Sequence, residues 1–134
     1  MEESVDLKLY SPLALAYLGD SVFDLLIKEH FVIEKNMQAE KYHKKVTKIV
    51  CAVNQAHFID TYKEDLSEEE LDVFRRGRNA SSHSKAKHAS LSEYKKATGF
   101  EAIIGYLYLK GDNGRLKEII KQVLSLAEDE DESE

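Results

Sequence analysis

Two carboxylates, Asp20 and Glu101, each sit inside an apolar stretch that brings no cation of its own. The first stretch covers residues 13–27 (LALAYLGDSVFDLLI), with Lys8 and Lys28 the nearest basic residues, and the second covers 100–109 (FEAIIGYLYL), between Lys96 and Lys110. An ionised carboxylate taken out of water costs several kcal/mol unless it is paired or coordinates a metal. A divalent cation held between two helices answers both acids at once. Oxygen ligands select a hard ion, and Mg²⁺ commonly takes one or two carboxylates while keeping several waters. A water on such an ion is acidified enough to attack phosphorus, and the ion neutralises charge on phosphoryl oxygens. The competing reading leaves one or both acids at a wet helix edge or beside a lysine distant in sequence. Two such acids in one chain weigh against it.

A second cluster suits the same chemistry. Between Arg75 and Lys96 the chain carries seven basic residues and one acid, Glu93. Lysines and arginines on a loop suit phosphate oxygens, and arginine can fork two bonds onto one phosphate. The only aromatic residue there is Tyr94, so base stacking is not indicated, and a reader of duplex backbone fits better. Lys41, Lys44, Lys45 and Lys48 fall on one helix face, which reads equally as a solvated surface. His83 and His88 lack the further Cys or His that a zinc set needs. Ser81 and Ser82 lack a nucleophile elbow. Isolated acids beside a basic surface are the minimum for hydrolysing a phosphodiester.

The elements that position these residues read as all-α. A single Pro and six Gly in 134 residues leave few breaks. A first helix opens at Ser11–Pro12, a capping residue followed by the residue best tolerated at the first helical position, and runs to Glu34. It is apolar on nearly every side up to Ile27, the pattern of a central helix with neighbours all round, from its own chain or a second subunit. Gly19, directly before Asp20, permits close approach of another helix. A second helix is expected over 38–62, with Val46, Ile49, Val50 and Val53 forming its apolar stripe. Ser67 and Glu70 make a capping box for a third helix, ending near Arg78. Residues 79–90 (NASSHSKAKHAS) read as a loop. A fourth helix covers 91–110, and a fifth covers 113–126. Cys51 reads as a small apolar helix residue, and one cysteine excludes an internal disulfide.

The net charge of −6 belongs to the last seven residues, EDEDESE, because acids and bases balance in the rest of the chain. The organisation expected is therefore one domain over 1–126 and a disordered acidic tail over 127–134. The N-terminus, MEESVDLK, has no signal-peptide pattern, and no apolar run suffices to span a bilayer. These features predict a cytoplasmic protein without a membrane partner.

LALAYLGDSVFDLL and GFEAIIGYLYL resemble the two acidic motifs of the ribonuclease III family, the signature Leu-Gly-Asp helix and the later Glu-Ala-Leu-Ile-Gly segment. ALAYLGD, together with RRGRNA at 75–80, is similar to the stand-alone catalytic-domain branch, Mini-ribonuclease III. The resemblance covers roughly residues 11–126. It implies a ribonuclease III catalytic-domain-like homodimer with the first helix at the two-fold. It also implies Mg²⁺-dependent cleavage of double-stranded RNA, namely precursor large-subunit ribosomal RNA, and allows a ribosomal protein as helper. Asp20 and Glu101 match the catalytic, metal-binding acids. Arg76, Arg78 and Asn79, with Lys85 and Lys87 of the following loop, are the expected RNA contacts. Longer members carry a glutamate where this chain has Ala16 and an aspartate where it has Thr98, so fewer protein oxygens reach the metal. Asp24, one turn beyond Asp20, is expected to make a structural hydrogen bond.

The alternative from another class is a noncatalytic RNA-binding ribosome-assembly factor with the same fold. Retention of both acids favours catalysis, since a clamp has no use for carboxylates facing phosphates. A helical nucleotide pyrophosphohydrolase would need paired Glu-x-x-Glu sites, and no convincing pair is present.

Overall fold

The order of helices is set by where the chain can be capped and where it must bend. The computed structural model describes residues 6–81 and 89–133. Six α-helices follow a short 3₁₀ turn at Leu7–Leu9: α1 (Pro12–Glu34), α2 (Ala39–Ile49), α3 (Ala52–Tyr62), α4 (Glu68–Ala80), α5 (Leu91–Lys110) and α6 (Asn113–Ser133). No strand occurs among the described residues, which gives the all-α class expected. Ser11 caps α1 through its side chain with Pro12 at the first turn. Ser67 with Glu70 and Ser90 with Glu93 close reciprocal capping boxes at the starts of α4 and α5. Gly111, at φ +82°, ends α5 in the left-handed conformation.

Two departures from what the sequence predicts have physical causes. The continuous helix expected over 38–62 is broken at Val50 and Cys51 into α2 and α3. Neither residue is a breaker, and the break is held by side chains downstream: Asn54 Nδ2 donates to the Lys48 carbonyl, and Gln55 Nε2 donates to the Val50 carbonyl at 3.4 Å. Cys51 is accordingly exposed at the corner, its Sγ 3.6 Å from the Lys48 carbonyl, instead of packing as a small apolar helix residue.

The acids expected to form a disordered tail continue α6 as far as Ser133. Nothing after Gly114 breaks a helix, and glutamate is a good helix former. Within the protomer α5 is the surrounded helix. Residues 97–107 are buried apart from Glu101, and α1, α3, α4 and α6 all pack against this segment's helix. α1 buries Leu15, Ala16, Gly19, Val22, Phe23 and Ile27 against the core. Its opposite side leaves Leu13, Tyr17, Leu25 and Val32 exposed, with Tyr17 82% accessible.

Close backbone approach sets the two main crossings. A Cβ on Gly19 would overlap the Glu101 carbonyl, and one on Gly105 would overlap the Leu15 carbonyl, so α1 and α5 meet backbone to backbone. Across the other side of α5, a Cβ on Gly77 would lie 3.0 Å from both the Ala102 Cβ and the Gly99 Cα. A buried ion pair fastens the far end: Arg115 of α6 donates through Nε and Nη2 to the two carboxylate oxygens of Glu70, each at 2.9 Å. Among the described residues no helix is long and apolar enough to cross a membrane.

Candidate active site

The glycine contact between α1 and α5 decides what lies beside it. Asp20 follows Gly19, and Glu101 contributes the carbonyl that Gly19 meets, so the crossing point and the two isolated acids coincide. Their carboxyl groups stand close enough for Asp20 to act on the ionisation of Glu101. Asp20 is exposed and Glu101 is half-buried, so the pair opens to solvent from the Asp20 side. Burial, reinforced by the neighbouring Asp20, pushes the Glu101 carboxyl up to about 8. Two acids far apart along the chain are therefore brought together with Glu101 holding its proton at neutral pH, the place that a bound cation would take over.

Aromatic packing beneath the acids fixes the helices that carry them. Phe23 of α1 and Phe100 of α5 meet edge to face at 5.0 Å, and Phe58 of α3 meets Phe100 at 5.2 Å. All three rings are almost fully buried. Phe100 adjoins Glu101 in sequence, Phe23 lies three residues beyond Asp20, and Phe58 lies three beyond Gln55. Gln55, 3% exposed, lies near enough to Glu101 for its side-chain amide to act against the upward shift. No pattern in the chain singles out Gln55 beforehand, because a glutamine in a helix is an ordinary surface choice.

The other expected residues fall as follows. Asp24 pairs with Lys28 at 2.8 Å along α1. Arg76, Arg78 and Asn79 flank Gly77 near the end of α4, and Gly77 packs on Gly99 and Ala102 of α5, the helix that carries Glu101. Arg76 donates to the Tyr10 carbonyl at 3.2 Å and fastens the chain before α1. Arg78 lies 5.5 Å from the Phe74 ring centre and donates to Asn79 Oδ1 at 3.3 Å. Lys85, Lys87, His83 and His88 lie outside the described residues.

A ribonuclease III domain profile matches residues 13–112, a span that takes in both acids and the Gly77 segment. The chain belongs to the ribonuclease III family. Within it, the Mini-ribonuclease 3 of Clostridium tetani is 46% identical over 131 residues, covering 96% of this chain and 86% of that protein. The Mini-ribonuclease 3 of Brevibacillus brevis is 42% identical over 125 residues, covering 93% of each. A crystal structure of a protein from Fusobacterium nucleatum superposes with a TM-score of 0.82 at 32% identity, covering 91% of this chain and 98% of that one. These likenesses extend over nearly the whole chain, so it is a ribonuclease III-type endoribonuclease of the Mini-ribonuclease III group.

Membership gives meaning to two departures noted in the sequence. Ala16, where longer ribonuclease III enzymes carry a glutamate, is buried in the core. Thr98, where they carry an aspartate, gives its hydroxyl proton to the Tyr94 carbonyl at 3.1 Å and receives one from Ser81 at 3.2 Å. That hydroxyl is committed to holding the start of the 81–90 segment on α5. Among the described residues no group of three or more His, Cys, Asp or Glu side chains that could hold a metal assembles.

Proposed function

We propose that this endoribonuclease cleaves double-stranded regions of precursor large-subunit ribosomal RNA in the cytoplasm, as a homodimer dependent on Mg²⁺. The convergence of Asp20 and Glu101 carries the reading. Two carboxylates close together, one open to solvent and one desolvated, fit a small hard cation that retains most of its waters. When bound, Mg²⁺ would supply an acidified water and charge neutralisation at the phosphoryl oxygens. Asp20 and Glu101 would hold it, and Glu101 would lose its proton in doing so. The Phe23, Phe58 and Phe100 cluster keeps both acids from drifting apart. Arg78 and Asn79, with Lys85 and Lys87, would grip the duplex backbone near Glu101.

The substrate class follows from family resemblance, and the homodimer is supported by the bare apolar side of α1. Leu13 and Tyr17 are exposed on the same helix as Asp20, so pairing two such faces would set two sites for the two strands of one duplex. The test incubates purified protein with a ribosomal precursor duplex, with and without Mg²⁺, beside Asp20→Asn and Glu101→Gln. Cleavage that requires Mg²⁺ and is lost in both variants supports the reading, and activity on naked RNA would dispense with a ribosomal-protein helper. Cleavage surviving in either variant overturns the site, and binding without any cleavage would mark a noncatalytic assembly factor.

A further inference from the structure

Lys41, Lys44, Lys45 and Lys48 share one face of α2, and all four are exposed. Elsewhere the chain pairs its cations, Lys96 with Asp60, Lys110 with Glu69 and Arg115 with Glu70. Among the described residues none of the four α2 lysines meets a carboxylate. Lys41 with Lys45, and Lys44 with Lys48, stand four apart, the spacing at which like charges repel along a helix. A polyanion with closely spaced charges relieves that repulsion.

The place of this face relative to the acids follows from α1. Phe31 lies eleven residues beyond Asp20 on that unbroken helix. Eleven residues make close to three full turns, so the two side chains leave α1 on the same strip, roughly 16 Å apart along its axis. Lys45 Nζ stands over the Phe31 ring, 5.4 Å from its centre. α2 therefore joins α1 on the side from which Asp20 opens to solvent. Between them on the strip, Asp24 and Lys28 neutralise each other at 2.8 Å. Exposed Leu13 and Tyr17 continue the strip in the other direction.

We infer that the lysine face of α2 is an outer phosphate-binding surface for the same RNA duplex: with the scissile phosphate at Asp20 and Glu101, Lys41, Lys44 and Lys48 take the backbone several nucleotides away, on the side of the site opposite Leu13 and Tyr17. This rests on the proposed nuclease function and adds to it an anchor remote from the chemistry. Lys45, laid over Phe31, fixes α2 against α1 and leaves the other three ammonium groups free to face the duplex. In a dimer paired through Tyr17 the two α2 faces stand at the outer ends of a duplex that spans both sites. Lysine presents a flexible point charge, so this surface holds phosphate and reads no base.

The test compares Lys44→Ala with Lys48→Ala against Lys117→Ala with Lys121→Ala. The second pair removes the same charge from α6, in the groove beside Leu25, Glu29 and Ile33, on the strip of α1 opposite Asp20. Alanine favours a helix, so neither pair should melt below wild type. Duplex affinity is measured in a chelating buffer from low to high KCl, and Mg²⁺-supported cleavage is followed at limiting and saturating RNA. The α2 pair is expected to reduce the slope of log affinity against log salt by about two and to raise KM several-fold with kcat unchanged. The α6 pair is expected to leave all three at wild-type values. Trimming the duplex from its ends should weaken wild type at lengths to which the α2 variant is indifferent. Wild-type slope and KM in the α2 variant, or an equal effect in the α6 variant, overturns the inference while the nuclease reading stands. A lowered melting temperature with RNA affinity intact would assign the lysines to the chain's own acidic end, and also overturns it. Wild type that binds the duplex through α2 but never cleaves it with Mg²⁺ overturns the nuclease reading alone, and wild type that binds no duplex overturns both.

Discussion

Gly19 meets the carbonyl of Glu101 with no space for a side chain between them. Gly105 repeats the contact one turn further along α5, against the Leu15 carbonyl. Both obstacles are backbone atoms, which cannot rotate away as a flexible side chain would. Gly19→Ala should therefore lower stability by about 3 kcal/mol, at the upper end of typical overpacking costs. It should also abolish cleavage at temperatures where the variant is folded, because α1 can make room only by carrying Asp20 away from Glu101. Urea unfolding and a duplex-cleavage assay measure the two effects, and full activity in the folded variant would show that the crossing does not set the site.

Stability of the metal-free protein should fall as pH rises. Glu101 is raised from 4.5 to about 8 in the folded chain, so between those values the folded state holds a proton that the unfolded state has released. Stability from this group is complete below about 4.5 and is lost as pH passes through about 8. Glu101→Gln cannot ionise and should lose this slope, becoming more stable than wild type above about pH 8 when a chelator is present. Thermal melts in a chelating buffer, taken from about pH 5 to about pH 9 so that they span the Glu101 transition, check the sign.

Much of this arrangement is legible in the sequence. Asp20 and Glu101 stand out because an acid amid Leu, Ile and Phe has no cheap solution, and Ser11 and Ser67 mark helix starts with side chains that cap them. The corner at Val50–Cys51 is not legible, since Val46, Ile49, Val50 and Val53 keep helical spacing straight through it and neither Gly nor Pro interrupts. It is made by Asn54 and Gln55 reaching back to carbonyls, a tertiary choice that periodicity cannot carry. Apolar residues on all sides of α1 show that the helix is covered, but not by which chain, and the sequence leaves that choice open.

Arg115→Met should destabilise the protein by about 3 kcal/mol, the lower end of what breaking a buried pair costs, because it leaves Glu70 without its partner. Glu70 is 4% exposed, and its Oε1 also accepts from the Ser67 N–H in the α4 capping box. Adding Glu70→Gln should recover part of the loss, since the amide keeps an acceptor for that N–H and removes the stranded charge. A double-mutant cycle by chemical denaturation reads the coupling.

Lys85→Ala with Lys87→Ala should weaken duplex RNA binding and reduce the slope of log affinity against log salt by about two, one for each phosphate no longer neutralised. Circular dichroism should be unchanged. An unaltered slope in filter-binding titrations would remove these residues from the RNA interface.

Tyr17→Asp should convert the protein to monomer in sedimentation experiments. Tyr17 is 82% exposed and stands clear of its own core, so the substitution tests association with little effect on the protomer. A dimer that persists in this variant would move the interface elsewhere.

α1 runs for 23 residues without a break, and it carries Asp20 on one strip of its surface and bare Tyr17 and Leu25 on the next. Gly19 and Leu15 both bear on the α5 backbone, so a displacement of this helix is passed along its length. Whatever grips its outer side therefore acts as a lever on the carboxylate, and changes that reshape the grip will be felt as changes in chemistry some distance from where they occur.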